Sequence, residues 1–80
     1  MNTNSLKLDI KLNSIEEIKE FVALAGMYAG DIDMSSKQYV VDAKSILGIF
    51  SLNLDQPVTV HIYGETPELF KEQIQKFIAE

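Results

Sequence analysis

The chain has no cysteine, no arginine, one histidine and no long apolar run. Each absence removes a class of function. Without cysteine there is no disulfide, no thiolate metal ligand and no cysteine nucleophile. The lone His61 has no second histidine or cysteine at ligand spacing, so no metal site and no cofactor are expected. Without arginine, the bidentate clamp for phosphate or carboxylate is missing. Twelve acidic residues against seven lysines leave a net charge of −5. Such a chain is poorly suited to neutralising a phosphate backbone, so nucleic acid is not an expected partner. No apolar stretch approaches the roughly 20 residues that cross a bilayer. The opening residues Met1, Asn2, Thr3, Asn4 and Ser5 lack the basic and apolar regions of a signal peptide. No membrane insertion is expected, and a reducing cytoplasm suits the composition.

What is present is the making of one small domain, expected over residues 1–80. Apolar residues make up 46% of the chain, an ordinary share for a globular protein. Residues 6–12 alternate without a break, with Leu6, Leu8, Ile10 and Leu12 inward and Lys7, Asp9 and Lys11 outward. That period of two predicts a strand buried on one face. Ser14, Ile15, Glu16 and Glu17 fit a capping box, in which Ser14 bonds the Glu17 amide and Glu17 reaches back. Ile15, Ile18, Phe21, Val22 and Ala25 then follow at helical spacing. This helix ends either at Gly26, as a left-handed cap, or near Tyr28.

Residues 31–34 predict a short strand, Ser35, Ser36 and Lys37 a turn, and residues 38–42 the returning strand. Ser45 is the expected N-cap of a short helix, with Ile46, Ile49, Phe50 and Leu52 as possible inner positions. Residues 53–57 form an exit loop ending at Pro57. Residues 58–63 alternate again, with Val58, Val60 and Ile62 inward and Thr59, His61 and Tyr63 on the other face. Thr66 is the expected cap of a last helix, with Pro67 at its first position. Leu69, Phe70, Ile74, Phe77 and Ile78 are its expected apolar stripe. The order β-α-β-β-α-β-α predicts an α+β fold: an open-faced sandwich, with three helices covering one face of a mostly antiparallel four-stranded sheet.

One stretch carries a family likeness. Ala43-Lys44-Ser45-Ile46-Leu47-Gly48-Ile49-Phe50-Ser51-Leu52 resembles the second-helix segment of HPr, the histidine-containing phosphocarrier family of the sugar phosphotransferase system. Phe21-Val22, Val58-Thr59-Val60 and Gly64-Glu65 resemble the family more loosely, and the element order agrees across nearly the whole chain. The resemblance implies a phosphocarrier-like protein rather than an enzyme, with phosphotransferase-system or regulatory proteins as partners.

The family carries an Asn-Gly-Leu-His-x-Arg-Pro-like run before its first helix, and that His accepts the phosphoryl group. Here the run reads Leu12-Asn13-Ser14-Ile15-Glu16-Glu17. Counting back from Phe21-Val22 places Ser14 where the His is expected and Glu16 and Glu17 where the Arg and Pro are expected. Ser45 resembles the serine that many Gram-positive members have phosphorylated by a dedicated kinase. Leu47 and Phe50 correspond to an apolar docking patch. The resemblance thus implies a member without histidine relay, keeping a candidate regulatory site at Ser45 and candidate partner contacts at Leu47 and Phe50. The alternatives are a working phosphocarrier with an atypical acceptor such as Ser14 or His61, or a small structural domain that self-associates through its open sheet face.

Simpler readings stand beside these. Ser14 and Ser45 are ordinary N-caps, and Glu17 favours that use of Ser14. Phe50 serves a core as well as a docking patch. His61 reads as a histidine on the exposed sheet face. Glu16 and Glu17 are adjacent helix residues, so they point apart and act as helix-dipole partners rather than an acid–base pair. Asp9, Asp31 and Asp33 suggest a weak cation cluster, with a solvated face as the simpler account.

Overall fold

In strand β1 (Ser5–Ile10), Lys7 and Asp9 are exposed, Leu6 and Leu8 half-buried, and Ile10 fully buried. The computed structural model describes residues 5–37 and 39–79. Expectations for Met1, Asn2, Thr3, Asn4 and for Gln38 lie outside those residues. The elements after β1 are α1 (Ile15–Met27), β2 (Ile32–Ser36), β3 (Tyr39–Asp42), α2 (Ile46–Phe50), β4 (Val58–Tyr63) and α3 (Pro67–Gln73), followed by a 3-10 turn (Gln75–Phe77).

The four strands pair antiparallel in the order β1-β4-β2-β3. In register, Lys7 and Asp33 face His61 from either side, and Ser35 faces both Thr59 and Val40. Side chains of directly opposed residues share a face. The polar members of β1, β2 and β4 therefore form one open face, and Ile10, Ile32, Met34, Val58, Val60 and Ile62 are buried on the other. This is the expected open-faced α+β architecture.

Phe21 organises the helix side. It is fully buried and meets Phe70 edge to face at 5.8 Å and Phe77 at 6.2 Å between ring centres. These aromatic pairs tie α1 to the C-terminal segment. Ile18, Ala25, Ile49, Leu52 and Ile74 complete the core around them.

Several boundaries differ from the sequence expectations. β1 stops at Ile10 because β4 begins opposite it at Val58, and the Lys11 amide turns to the Phe77 carbonyl at 2.8 Å. Leu12 is buried beyond the strand end. α1 runs through Gly26 to Met27 and ends on Tyr28, whose φ of −80° is not a left-handed cap. The Tyr28 hydroxyl donates to the Tyr63 carbonyl, and its ring lies 5.4 Å from Phe70, so tertiary contacts hold that end. Asp31 lies outside β2, which instead includes Ser35 and Ser36. Lys37, which follows β2, adopts a left-handed φ of 56°.

The last helix is also shorter than its apolar pattern suggests. Thr66 sits before Pro67 as expected but makes no side-chain capping bond. The helix breaks at Ile74, where φ is −110° and ψ is 20°. Leu69, expected inside, is 56% exposed. Ile78 leaves the helical path and pairs with Ile10, while the Ala79 amide donates to the Asp9 carbonyl at 2.9 Å. Hydrogen bonds to the free edge of β1 replace those of a continued helix.

Candidate functional site

Ser14 caps α1. Its backbone is extended, and its Oγ accepts from the Glu17 amide at 3.1 Å. Glu17 Oε1 in turn accepts from the Asn13 amide at 2.7 Å, one residue before the cap. The reciprocal pair read from the sequence is present, with its second bond shifted by one residue. Glu16 stands exposed in the same first turn. A helix N-terminus attracts anions through its free amides and its dipole. At this one, the Ser14 hydroxyl already takes the Glu17 amide, and the Glu17 carboxylate folds back onto the loop at Asn13. Lys11 braces the approach, with Nζ donating to Asn13 Oδ1 at 2.9 Å and to the Leu54 carbonyl at 3.1 Å.

Ser45 caps α2, and its exposed Oγ accepts from the Gly48 amide at 3.1 Å. Gly48 makes this geometry possible. A Cβ there would come within 3.2 Å of Val41 Cβ and 3.4 Å of Ser45 Oγ, so a side chain at this position would press on β3 and on the cap. Lys44, next to Ser45, is tied to the end of α1 through Nζ and the Tyr28 carbonyl at 2.9 Å.

Five residues of helix present one row to the core. Ile49 fills it completely, Ile46 is half-buried, and Leu52 is buried just beyond. Leu47 and Phe50, three positions apart, are left facing solvent at 79% and 46% exposure. Phe50, counted among the possible inner positions, therefore belongs to the outer surface. Ile15 was read as part of the inner stripe of α1, yet it is 56% exposed. Its place at the first helical position, a turn before the buried Ile18, was the available signal. α1 packs beside α2, so the exposed apolar residues lie on adjoining helices.

His61 is remote in topology from both caps, on the open face of the sheet. Its Nδ1 is 2.8 Å from Tyr63 Oη, and the two rings lie 4.1 Å apart. Partial burial, then Asp33 and Asp31, push the Tyr63 phenol above its ordinary value. Asp9 lies on β1, beyond β4 from Asp33, and accepts from Thr59 Oγ1 at 2.8 Å. The three aspartates read as a cluster are thus divided between two places, and among the described residues no metal-holding group of three or more acidic, His or Cys residues forms.

The sheet order, the three helices on one face and the two serine-capped helix starts define a small open-faced α+β domain. Two solved structures share this fold. The phosphocarrier protein HPr from Bacillus anthracis str. Ames is 22% identical, with a TM-score of 0.74 over 96% of this chain and 98% of that one. HPr-C-His from Thermoanaerobacter tengcongensis is 24% identical, with a TM-score of 0.72 over 95% of this chain and 89% of that one. A search of curated protein sequences found no match. The family described as the PTS HPr component phosphorylation site matches residues 16–80, beginning just after Ser14. The chain belongs to this HPr family of the phosphotransferase system. Among the described residues, no helix is long and apolar enough to cross a membrane.

Proposed function

We propose that this HPr-family protein has given up the histidine phosphoryl relay and acts as a regulatory, protein-binding module in the cytoplasm. Its partners are phosphotransferase-system or regulatory proteins, and it meets them through Leu47 and Phe50. Ser45 is its site of control.

One observation carries the reading: the Ser14–Glu17–Asn13 capping arrangement stands where the family resemblance puts the phosphoaccepting His. Glu16 and Glu17 bring negative charge to that helix start, and like charges beside a phosphate repel it. A phosphate on Ser14 would be a low-energy ester, poor at onward transfer. Ser45, by contrast, is exposed and keeps the family-like setting Lys44-Ser45-Ile46-Leu47-Gly48. A phosphate there would replace the Oγ cap at a helix start and place charge beside the exposed Leu47.

The test is phosphoryl transfer from labelled phosphoenolpyruvate in a reconstituted phosphotransferase mixture, followed by an ATP-dependent protein kinase and mass spectrometry of the chain. The reading expects no label from phosphoenolpyruvate and phosphate on Ser45 from ATP. Acid-labile label on His61, or any label on Ser14, overturns the loss of relay. An unmodified Ser45 with every family kinase removes the regulatory part.

A further inference from the structure

The sheet has two edges, and they are treated differently. The β1 edge is covered at its Ile10 end by the chain itself. Ile78 bridges Ile10, Lys11 donates to Phe77, and Ala79 donates to Asp9. Along the outer edge of β3, no described residue lies in pairing position. The Ala43 amide donates to the Ile32 carbonyl at 2.9 Å, which makes that a bonded pair. Antiparallel ladders alternate, so Val41 with Met34 and Tyr39 with Ser36 are also bonded pairs. The backbone groups of Val40 and Asp42 then point outward. The Asp42 carbonyl is occupied by the Ser45 amide at 3.0 Å. The Val40 N–H and carbonyl are left on the open edge.

The side chains along this edge are apolar and exposed, Tyr39 at 68% and Val40 at 65%. Natural edges are commonly guarded by an inward charge, a proline or a bulge. Tyr39, Val40 and Val41 supply none of these. Charge sits only at the two ends, as Lys37 before the strand and Asp42 at its close. An antiparallel second copy brings the Lys37 end of one chain to the Asp42 end of the other. A parallel copy would oppose like charges.

We propose that β3 is a self-association edge, pairing antiparallel with β3 of a second copy about a two-fold axis through Val40. The two Val40 residues exchange both backbone hydrogen bonds, the bonded pair of an antiparallel ladder. The axis stands perpendicular to the sheet, so each chain keeps its helices on the same side. Tyr39 covers the half-buried Val41 of the second copy on the helix side, and the two Val40 side chains meet on the open face. The two sheets of four strands become one. The contact is isologous and closes on itself. A four-residue strand buries less than the roughly 1,000 Å² of a stable interface, so the pairing is weak and concentration-dependent.

The test uses sedimentation equilibrium of the full chain from about 20 µM to about 2 mM, a range set by that small interface. The weight-average mass is expected to climb from 9.0 kDa toward twice that value. Val40→Lys is expected to abolish the climb, and Leu47→Lys to leave it intact. Cross-linking gives a second readout that does not depend on a disruptive variant. The chain has no native cysteine, and Cα atoms about 5.5 Å apart in a bonded pair suit a disulfide. Under mild oxidation, Val40→Cys is expected to form a dimer at least several-fold faster than Leu47→Cys. A chain that stays at 9.0 kDa throughout, or cross-linking no faster at Val40 than at Leu47, overturns the proposal. A climb lost with Leu47→Lys but kept with Val40→Lys overturns it too, because the contact would then lie on α2.

Discussion

The Glu17 carboxylate accepts the Asn13 backbone N–H at 2.7 Å, across the start of α1. That bond joins the loop to the helix at the place where the HPr resemblance expects a phosphohistidine. Helix capping and the proposed loss of the relay therefore meet in one small motif.

The first prediction concerns the cap. Ser14→Ala removes the acceptor for the Glu17 amide and is expected to cost about 1 kcal/mol. For a domain of this size, that lowers Tm by about 4–8 °C. Thermal unfolding followed by circular dichroism reads it. An unchanged Tm would mean that Ser14 does not hold the helix start.

The second asks whether the scaffold still fits the relay. Ser14→His alone is expected to be labelled poorly by phosphoenolpyruvate and the family kinase, because Glu16 and Glu17 still repel phosphate. Combining Ser14→His with Glu16→Arg and Glu17→Pro is expected to raise labelling at least tenfold. Equal labelling of the two variants would remove the acidic first turn as the obstacle.

The third separates packing from docking on α2. Ile49→Ala empties a fully buried position and is expected to cost about 2–5 kcal/mol. Leu47→Ala lies 79% exposed and is expected to change stability by less than about 0.5 kcal/mol while weakening partner capture. Urea unfolding measures the first effect. Co-purification with phosphotransferase and regulatory proteins measures the second. Full partner capture by a Leu47→Ala, Phe50→Ala double variant would place the docking surface elsewhere.

The fourth follows from Tyr63, whose phenol is held above its ordinary value of 10.0 by partial burial, then Asp33 and Asp31. The folded chain holds this proton more tightly than the unfolded chain. The stabilising contribution is therefore complete below pH 10.0 and is lost as pH rises through the raised folded value. Between pH 10.0 and the raised folded value, stability is expected to fall more steeply in the parent protein than in Tyr63→Phe. Urea midpoints at several alkaline pH values give the comparison. Parallel curves would show that Tyr63 is not perturbed.

Much of the fold was legible because its signals are local. The alternation in residues 58–63 matches β4 from Val58 to Tyr63, and all three inward residues are buried. Ser14 and Ser45 were readable as caps because the bonded amides lie three residues away. The candidate patch was less legible. Periodicity alone put Ile15 and Phe50 inside, but a helix start and a five-residue helix have too few neighbours to bury them. Leu69 was misplaced for a related reason, since α3 ends soon after it.

The sequence by itself determined the element order, the two serine caps, the acidic balance and the one-sided patterning of the strands. Each of these depends on residues within a turn or two of one another. Only the tertiary structure decided that β4 lies between β1 and β2, that the last helix breaks at Ile74, and that Ile78 pairs with Ile10 at the end of β1. It also decided that, among the described residues, none pairs along the outer edge of β3, and that Leu47 and Phe50 face outward. Those outcomes rest on pairings between distant segments, such as Phe21 with Phe77 and Ile10 with Ile78. The free energy of such contacts exists only once the chain has folded back on itself, so no short window of sequence contains it.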